Sequence, residues 1–186
     1  MTDDVITQLA AARTNPSIIM VVGVGGAGGN AVNHMWNLGI KGVDFMVCNT
    51  DQQALDKSPV ELKVRLGSEG LGAGNDPENG RKAAIESLDV VRQRFEASGT
   101  KMVFITAGMG GGTGTGASPV IAKLAKEMGM LTVGIVTSPL AVEGKIRYEQ
   151  AFRGIEELRQ NVDSLLIINN ENILEIYGRL ALKQAF

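Results

Sequence analysis

Gly108-Met-Gly-Gly-Gly-Thr-Gly-Thr-Gly116 is the stretch of this sequence that says most about its fold. It follows the apolar run Met102-Val-Phe-Ile-Thr-Ala107 and precedes a helical pattern that begins near Ala117. The stretch therefore lies where a strand passes into a helix, a place where backbone N–H groups and the helix dipole can hold a phosphate. Because glycine and threonine fill every position except Met109, few side chains would keep an anion away. This composition indicates a bound ligand and not only a turn.

On both sides of this stretch, strand-like and helix-like patterns alternate along the chain. Apolar or alternating runs predict strands over residues 18–22, 43–48, 60–66, 102–107, 131–137 and 163–168. Helical patterns cover residues 31–38, 81–97, 118–128 and 143–161, another begins at Glu171, and residues 67–80 form a long glycine-rich loop. The alternation predicts an α/β fold: a Rossmann-like, three-layer open sheet, mostly parallel, with helices on both faces.

Composition narrows the class of protein. The 186 residues suffice for one domain with a substantial core, and the formal net charge of −2 does not favour a nucleic-acid surface. The apolar runs are too short to span a membrane, the N-terminus lacks a secretory signal, and a single cysteine, Cys48, fits a reducing cytoplasm. We expect residues 1–17 to be a flexible arm and residues 18–186 to form the domain. Residues 179–186 keep a helical pattern without a stop signal, so we expect a chain cut inside or just after a helix.

A second glycine-rich loop does not by itself decide which nucleotide the protein binds. Gly23-x-Gly25-x-x-Gly28 follows a strand, and Asp51 lies about twenty residues further on, as in the dinucleotide-binding fingerprint. On this loop alone, NAD(H) and another nucleotide are equally good interpretations. The richer loop at 108–116 favours a compact polyphosphate, because a dinucleotide fold needs no second cradle. No P-loop motif occurs, so backbone amides, helix N-termini and a bound Mg²⁺ would balance the phosphate charge.

Five motifs together resemble those of the tubulin/FtsZ family of GTPases. They are Gly23-Val-Gly-Gly-Ala-Gly-Gly-Asn-Ala-Val32, Asn49-Thr-Asp51, Gly70-Leu-Gly-Ala-Gly74, Gly110-Gly-Gly-Thr-Gly-Thr-Gly116 and Glu143-Gly-Lys-Ile-Arg147. Their order and spacing are similar to the family's, and the resemblance runs from about Ile18 to Phe186. Ala27 stands where a glycine is common in the family, a small change that we expect to be tolerated.

The resemblance implies a set of nucleotide-binding residues. Those around the phosphates match Gly25, Gly26, Ala27, Gly28, Gly29, Asn30, Gly108, Gly110, Gly111, Gly112, Thr113, Gly114, Thr115 and Gly116. Ala73, Gly74 and Asn75 would approach the γ-phosphate. Asn49, Pro139, Glu143, Arg147 and Asn170 would lie near the ribose and the base, and Phe186 would stack on the base. Asp51 is either a ribose or Mg²⁺-side residue or a simple turn cap, and no side chain is assigned to a metal.

The resemblance also implies what the protein does. Members hydrolyse GTP to GDP and phosphate, polymerise head to tail, and form the cytokinetic ring in the cytoplasm at midcell, with other division proteins and with adaptors that reach the membrane. The family's later acidic loop and second domain are absent here. No catalytic residue is therefore assigned, and we expect this chain to bind GTP or GDP weakly, barely hydrolyse GTP and form no filaments. The alternatives are an NAD(P)-dependent oxidoreductase of Rossmann type and a non-catalytic scaffold that binds partners.

Three single residues have plain structural interpretations. His34 has no second metal ligand nearby in the sequence and is expected at the surface. Cys48 has no partner motif for catalysis and is expected as a buried small hydrophobe. Trp36, on the first helix, is expected to pack and not to recognise a ligand.

Overall fold

A computed structural model describes residues 17–171 of the chain. The predicted arm, apart from Ser17, and the predicted base contact at Phe186 lie outside these residues. Six strands form one sheet: β1 (Ile19–Val24), β2 (Asp44–Asn49), β3 (Leu62–Arg65), β4 (Met102–Gly108), β5 (Leu131–Ser138) and β6 (Ser164–Asn169). The α-helices are α1 (Gly25–Asn37), α2 (Gln52–Asp56), α3 (Pro77–Glu86), α4 (Leu88–Ser98), α5 (Gly112–Glu127) and α6 (Lys145–Arg159).

The sheet is parallel at every strand pair, in the order β3-β2-β1-β4-β5-β6. The strand order reverses between β1 and β4, and in open α/β sheets ligands bind outside the carboxyl ends of the strands at such a point. The two glycine-rich loops follow these two strands. The topology therefore places both loops at the same edge of the sheet.

Helices cover the two faces of the sheet unequally. Helix α1 packs on one face, where Val32 joins Val21 and Phe45 in a small apolar cluster. The other face holds the main core, in which Phe95 of α4 and Ile121 of α5 are fully buried. On the α1 side, Leu166 and Ile168 of the edge strand β6 remain exposed among the described residues. The predicted three-layer α/β fold is confirmed.

Two helices begin earlier than predicted, because the glycine-rich stretches at their starts were predicted to be loops. Helix α1 begins at Gly25 and not at residue 31, and α5 begins at Gly112 and not at residue 118. Glycine disfavours the interior of a helix by about 1 kcal/mol relative to alanine, so its abundance indicated loops. Close packing explains several of the helical glycines: a Cβ at Gly112 would lie 2.7 Å from the Cβ of Ala73, and one at Gly28 would overlap the carbonyl oxygen of Thr106.

Other element boundaries also differ from the sequence-based prediction. The predicted helix 81–97 is two helices, α3 and α4, which meet at Ser87, whose Oγ accepts a hydrogen bond from Gly67 N at 2.8 Å. Helix α3 begins at Pro77, since Asp76 caps it by accepting from Glu78 N. The short helix α2 has too few residues to show a periodic pattern. Helix α6 begins two residues later than predicted, because a 3₁₀ turn over Ala141–Glu143 precedes it.

Among residues 17–171, no helix is both long enough and apolar enough to cross a membrane.

Asp163 ties the start of β6 to its neighbours and gives the fold a pH-dependent contact. Thr132 N donates to Asp163 Oδ2 at 2.8 Å and holds the pKa of that carboxyl below its usual value, and Lys126 Nζ, 3.2 Å from Oδ1, acts in the same direction. A carboxyl with a lowered pKa stabilises the fold above its unfolded-state pKa of about 3.9, and this contribution is lost as the pH falls through the folded-state pKa.

We expect Asp163→Asn to lower the melting temperature at pH 7, and we expect this difference from the parent to shrink as the pH falls from about 4 through the lowered pKa of the folded-state carboxyl. Thermal melts of the two chains from about pH 2 to pH 7 measure the difference. Glu96→Gln on the exposed side of α4 is the control and should show no comparable convergence. A difference that stays constant across the range would contradict the assignment to Asp163.

Candidate functional site

The two glycine-rich loops touch each other at the crevice between β1 and β4. A Cβ at Gly25, whose φ is +73°, would lie 2.8 Å from Gly114 N. A Cβ at Gly108 would lie 2.6 Å from the Cβ of Ala27. The alanine methyl at position 27, exposed in this structure, is therefore accommodated because its neighbour is glycine.

Both helices that begin at this crevice lack side-chain caps. The N-cap residues, Val24 of α1 and Gly111 of α5, accept no side-chain hydrogen bond from the first turn. By contrast, Asp51 caps α2 and Asp76 caps α3 through their carboxylates. The first N–H groups of a helix need acceptors and carry partial positive charge. Two uncapped N-termini side by side form a site that suits an anion.

Three glycines at the crevice have neither a conformational nor a packing reason to be glycine. Most glycines in residues 17–171 either have positive φ or lie so close to a neighbouring group that a Cβ would collide with it. Gly26 and Gly29 have ordinary φ and nothing within 4 Å of an added Cβ, and Gly111 has only Asn75 Oδ1, at 3.9 Å. All three line the crevice, where a side chain would occupy space above exposed backbone.

The loop before α3 lies over the start of α5. Gly74 and Asn75 both have positive φ, and Asn75 is the one non-glycine residue among residues 17–171 with that conformation. Asn75 approaches Gly111 through its side chain, and Ala73 is buried against Gly112. The predicted residues Ala73, Gly74 and Asn75 thus border the same crevice as the two glycine-rich loops.

Residues 108–116, which run from the end of β4 into the first turn of α5, are held in place by neighbouring groups. Thr115 is buried, and its Oγ1 accepts a hydrogen bond from Gly110 N at 2.8 Å. Gly110, with φ of +103°, packs beside Pro139 and the backbone of Arg147. Gly112, Gly114 and Gly116 are buried by neighbouring backbone. These contacts hold the loop in shape, while Gly111 remains open.

Glu143 and Arg147 form one rim of the crevice. Glu143 Oε2 accepts from Arg147 Nη1 at 2.9 Å, and its Oε1 accepts from Leu140 N at 2.8 Å. Both side chains are partly exposed, so the pair contributes little to stability.

Within residues 17–171, Asn170 Oδ1 is a buried oxygen without a hydrogen-bond partner.

The loop after β2 forms the opposite side. Asn49 is buried and accepts from Asp51 N through Oδ1, while Asp51 Oδ1 caps α2 by accepting from Gln53 N at 2.9 Å. Of the two roles predicted for Asp51, the structure therefore shows the simple cap. A cleft of about 230 Å³ lies between this loop and α1, and Asn30 also lines it.

Thr50 lies within the motif Asn49-Thr-Asp51, but sequence reasoning gave it no role in the site. Its Oγ1 lies 2.7 Å from Thr113 Oγ1, so the loop after β2 is joined to the first turn of α5. Thr50 is buried, and the two residues are 63 positions apart in the sequence. No local pattern signals a contact of this kind.

The single residues with plain interpretations can now be placed. Trp36 packs edge-to-face on Phe45, with 6.0 Å between the ring centroids, and is partly exposed. His34 is exposed near the end of α1. Cys48 is fully buried, and burial raises the pKa of its thiol to about 12, which makes it a poor nucleophile. In the part of the chain that the structure describes, no three His, Cys, Asp or Glu side chains are grouped as a metal site.

Comparisons with known proteins decide the family. Residues 18–178 match the family described as Tubulin/FtsZ family, GTPase domain. The chain belongs to the tubulin/FtsZ family. Two curated relatives named Cell division protein FtsZ are similar over most of it. The Porphyromonas gingivalis protein is 53% identical over 174 residues, which are 92% of this chain and 38% of that protein. The Wigglesworthia glossinidia brevipalpis protein is 51% identical over 177 residues, 93% of this chain and 46% of that protein.

Two solved structures have the same fold as this chain. An empty FtsZ dimer from M. jannaschii superposes with a TM-score of 0.86 and 39% identity, over 100% of this chain and 54% of that one. CetZ2 from Haloferax volcanii, in a GTPγS-bound protofilament, gives 0.80 and 26%, over 90% and 53%. The chain thus spans less than half of these curated relatives and just over half of these solved chains. The family resemblance is confirmed, and the oxidoreductase alternative finds no support.

Proposed function

We propose that this chain is the GTP- and GDP-binding part of a GTPase that polymerises head to tail in cell division. The observation that carries the proposal is the bare backbone at Gly26, Gly29 and Gly111 beside two uncapped helix N-termini. Glycine inside a helix destabilises it, so open glycines there favour close approach of a ligand to the backbone. Residues 18–186 would form the nucleotide-binding domain.

The remaining predicted residues fit the rest of a nucleotide. Glu143 and Arg147 at the rim would contact the ribose, and the unpartnered oxygen of Asn170 would accept a hydrogen bond from the guanine side. Phe186 would stack on the base. Loop residues Ala73 to Asn75, which lie over the start of α5, would approach the γ-phosphate.

The chemistry of this site would be positioning and charge stabilisation. In phosphoryl transfer, most catalysis comes from holding the phosphates in line with the nucleophile and neutralising developing charge. Here backbone N–H groups would hold the phosphates, and phosphate oxygens would supply most ligands of a Mg²⁺ ion, since the described residues hold no cluster of metal-binding side chains. The group that activates water would come from a neighbouring subunit. This chain alone would therefore hydrolyse GTP at a rate close to the uncatalysed background.

The relatives support assembly and a role in division. Two are named as cell division proteins, one solved relative is a dimer and another a nucleotide-bound protofilament. We extend this to a cytoplasmic homopolymer at midcell that works with other division proteins and reaches the membrane through adaptors, without binding nucleic acid.

A competition titration tests the nucleotide class. The 186-residue chain is titrated into fluorescent GDP, and unlabelled GTP, GDP and NADH are added as competitors. We expect GTP and GDP to displace the probe and NADH to leave it bound. Displacement by NADH, or no binding of the GDP probe at protein concentrations that suffice for weak binding, would overturn the proposal.

The same preparation tests the dependence on a neighbouring subunit. With GTP and Mg²⁺, we expect phosphate release close to the uncatalysed background and no cooperative rise in light scattering. Robust turnover would show that the chain contains its own water-activating group. Cooperative assembly would show that both polymer contacts are present.

A further inference from the structure

Thr50 joins separate segments that border the crevice. It directly follows β2, and its Oγ1 lies 2.7 Å from the Oγ1 of Thr113, in the first turn of α5. Its backbone oxygen accepts a hydrogen bond from Gly72 N at 3.0 Å, in the loop before α3. The side chain of Thr50 therefore contacts an uncapped helix, while its backbone holds the loop that lies over the start of that helix.

The backbone around Thr50 is fixed without help from the Thr50 hydroxyl. Gly72 N donates to the carbonyl oxygen of Thr50, and the carbonyl oxygen of the preceding residue, Asn49, accepts from Leu66 N at 2.8 Å. These bonds join the segment to its neighbours on the β3 side of the crevice. Removing the hydroxyl of Thr50 would leave them all in place.

Burial decides which of the two threonine hydroxyls donates. Thr50 is only 4% exposed, and within residues 17–171 its hydroxyl has Thr113 Oγ1 as its one hydrogen-bond partner. Thr113 is partly exposed at the crevice. A buried O–H group needs an acceptor, whereas a partly exposed one can turn toward solvent or a ligand. Thr50 therefore donates to Thr113, and the hydroxyl proton of Thr113 is left for another acceptor.

Thr113 lies between the two uncapped helix N-termini. It is the second residue of α5, and a Cβ added at Gly25, the first residue of α1, would lie 3.4 Å from the Cβ of Thr113. A hydroxyl that already accepts one hydrogen bond is polarised and donates a stronger one. Such a bond is strongest when its acceptor is charged. A phosphate oxygen at the crevice is an acceptor of this kind.

We propose that Thr50 is a positioning residue for the phosphates of the nucleotide. Thr50 donates to Thr113, holds that side chain in one rotamer and directs its proton to a phosphate oxygen. Thr50 itself makes no contact with the nucleotide. This inference rests on the proposed function, because it requires a phosphate at the crevice.

Two substitutions of Thr50 separate its hydroxyl from the rest of the side chain. Thr50→Ala and Thr50→Ser both lack the methyl group, and only Thr50→Ser keeps the oxygen. In titrations with fluorescent GDP, we expect about fivefold weaker binding by Thr50→Ala and less than about a twofold change in Thr50→Ser, because one hydrogen bond is worth about this factor. Thr113→Ala removes the phosphate donor itself and should weaken binding by about 30-fold.

The double variant Thr50→Ala/Thr113→Ala shows whether Thr50 acts through Thr113. We expect it to bind GDP no more weakly than Thr113→Ala, because no hydroxyl is left to position. Losses that multiply would show that Thr50 acts on the nucleotide independently and would overturn the proposal. Equal affinities of Thr50→Ala and Thr50→Ser would also overturn it.

Thr132 provides the matched control for losing a buried threonine hydroxyl. It is fully buried near the amino end of β5, far along the strand from the crevice, and its Oγ1 donates to Met130 O at 3.1 Å. Thr132→Ala should lower the unfolding midpoint in urea and leave the GDP affinity unchanged. If it weakened binding as much as Thr50→Ala, lost stability would explain both effects and the proposal would fail.

The parent chain separates this inference from the proposed function. If the parent binds no GDP, the proposed function fails and the role of Thr50 fails with it. If the parent binds GDP and the variants give any of the contrary results, only the role of Thr50 is refuted.

Discussion

Replacing Gly116 with alanine is expected to lower the free energy of unfolding by about 3 kcal/mol and the melting temperature by about 6–12 °C. A Cβ at this position of α5 would lie 2.8 Å from Arg81 N and would overlap the carbonyl oxygen of Pro77. Both groups are backbone atoms of α3, so they cannot rotate away. Helix α3 would have to separate from α5, and the buried contact between the two helices would be lost. Urea denaturation followed by circular dichroism measures the change.

The matched control is the same substitution at Gly29 of α1. There an added Cβ meets nothing within 4 Å, and alanine favours the helix, so we expect stability to rise by up to about 1 kcal/mol. The two variants are thus expected to move the unfolding midpoint in opposite directions. A Gly116→Ala chain as stable as the parent would show that α3 can shift away from α5 at little cost.

Gly26→Asp is expected to weaken binding of fluorescent GDP by at least about 100-fold. A carboxylate about 5 Å from one phosphate charge, at an effective dielectric constant of about 20, costs about 3 kcal/mol, which corresponds to this factor. The free protein should not suffer, because position 26 has open space and an acidic side chain in the first turn of a helix is favourable. Equilibrium titration for affinity and thermal melting without nucleotide measure the two effects separately.

Asn37→Asp is the charge-matched control. It adds the same negative charge to α1 at the opposite end of the helix, about 16 Å away, where we expect less than a threefold change in affinity. Equal losses in both variants would mean that net charge, and not the crevice, governs binding. Unchanged affinity in Gly26→Asp would exclude Gly26 from the phosphate site.

The layout of the fold was predictable because its signals are local. Apolar runs such as residues 18–22 and 131–137 are typical of strands buried in a parallel sheet, and all six predicted strands are present. The strand order matches that of dinucleotide-binding folds, which explains why the loop at Gly23 to Gly28 by itself could not separate the two nucleotide classes. The second glycine-rich loop made the distinction.

The details of the site were less predictable because they depend on contacts distant in sequence. Gly112 and Gly116 belong to a helix that composition disfavours. Gly112 packs against Ala73 and Asp76 in the loop before α3, and Gly116 packs against α3 itself. The hydroxyl contact between Thr50 and Thr113 joins the loop after β2 to the first turn of α5, and neither segment has a local sequence signal for it. Likewise, open glycines and packed glycines look the same in the sequence, and only their neighbours in space distinguish Gly26 from Gly28.

The burial of Cys48 makes this chain a convenient background for site-specific labelling. The chain has one cysteine, it lies fully inside the sheet, and its thiol pKa of about 12 leaves almost no thiolate at neutral pH. Maleimide reagents require an accessible thiolate, so the folded protein should remain unlabelled. A cysteine introduced at an exposed position such as Gln93 would then carry a fluorophore or spin label alone, and Cys48 could stay in place. The same thiol would become reactive on unfolding and would count unfolded molecules in any preparation.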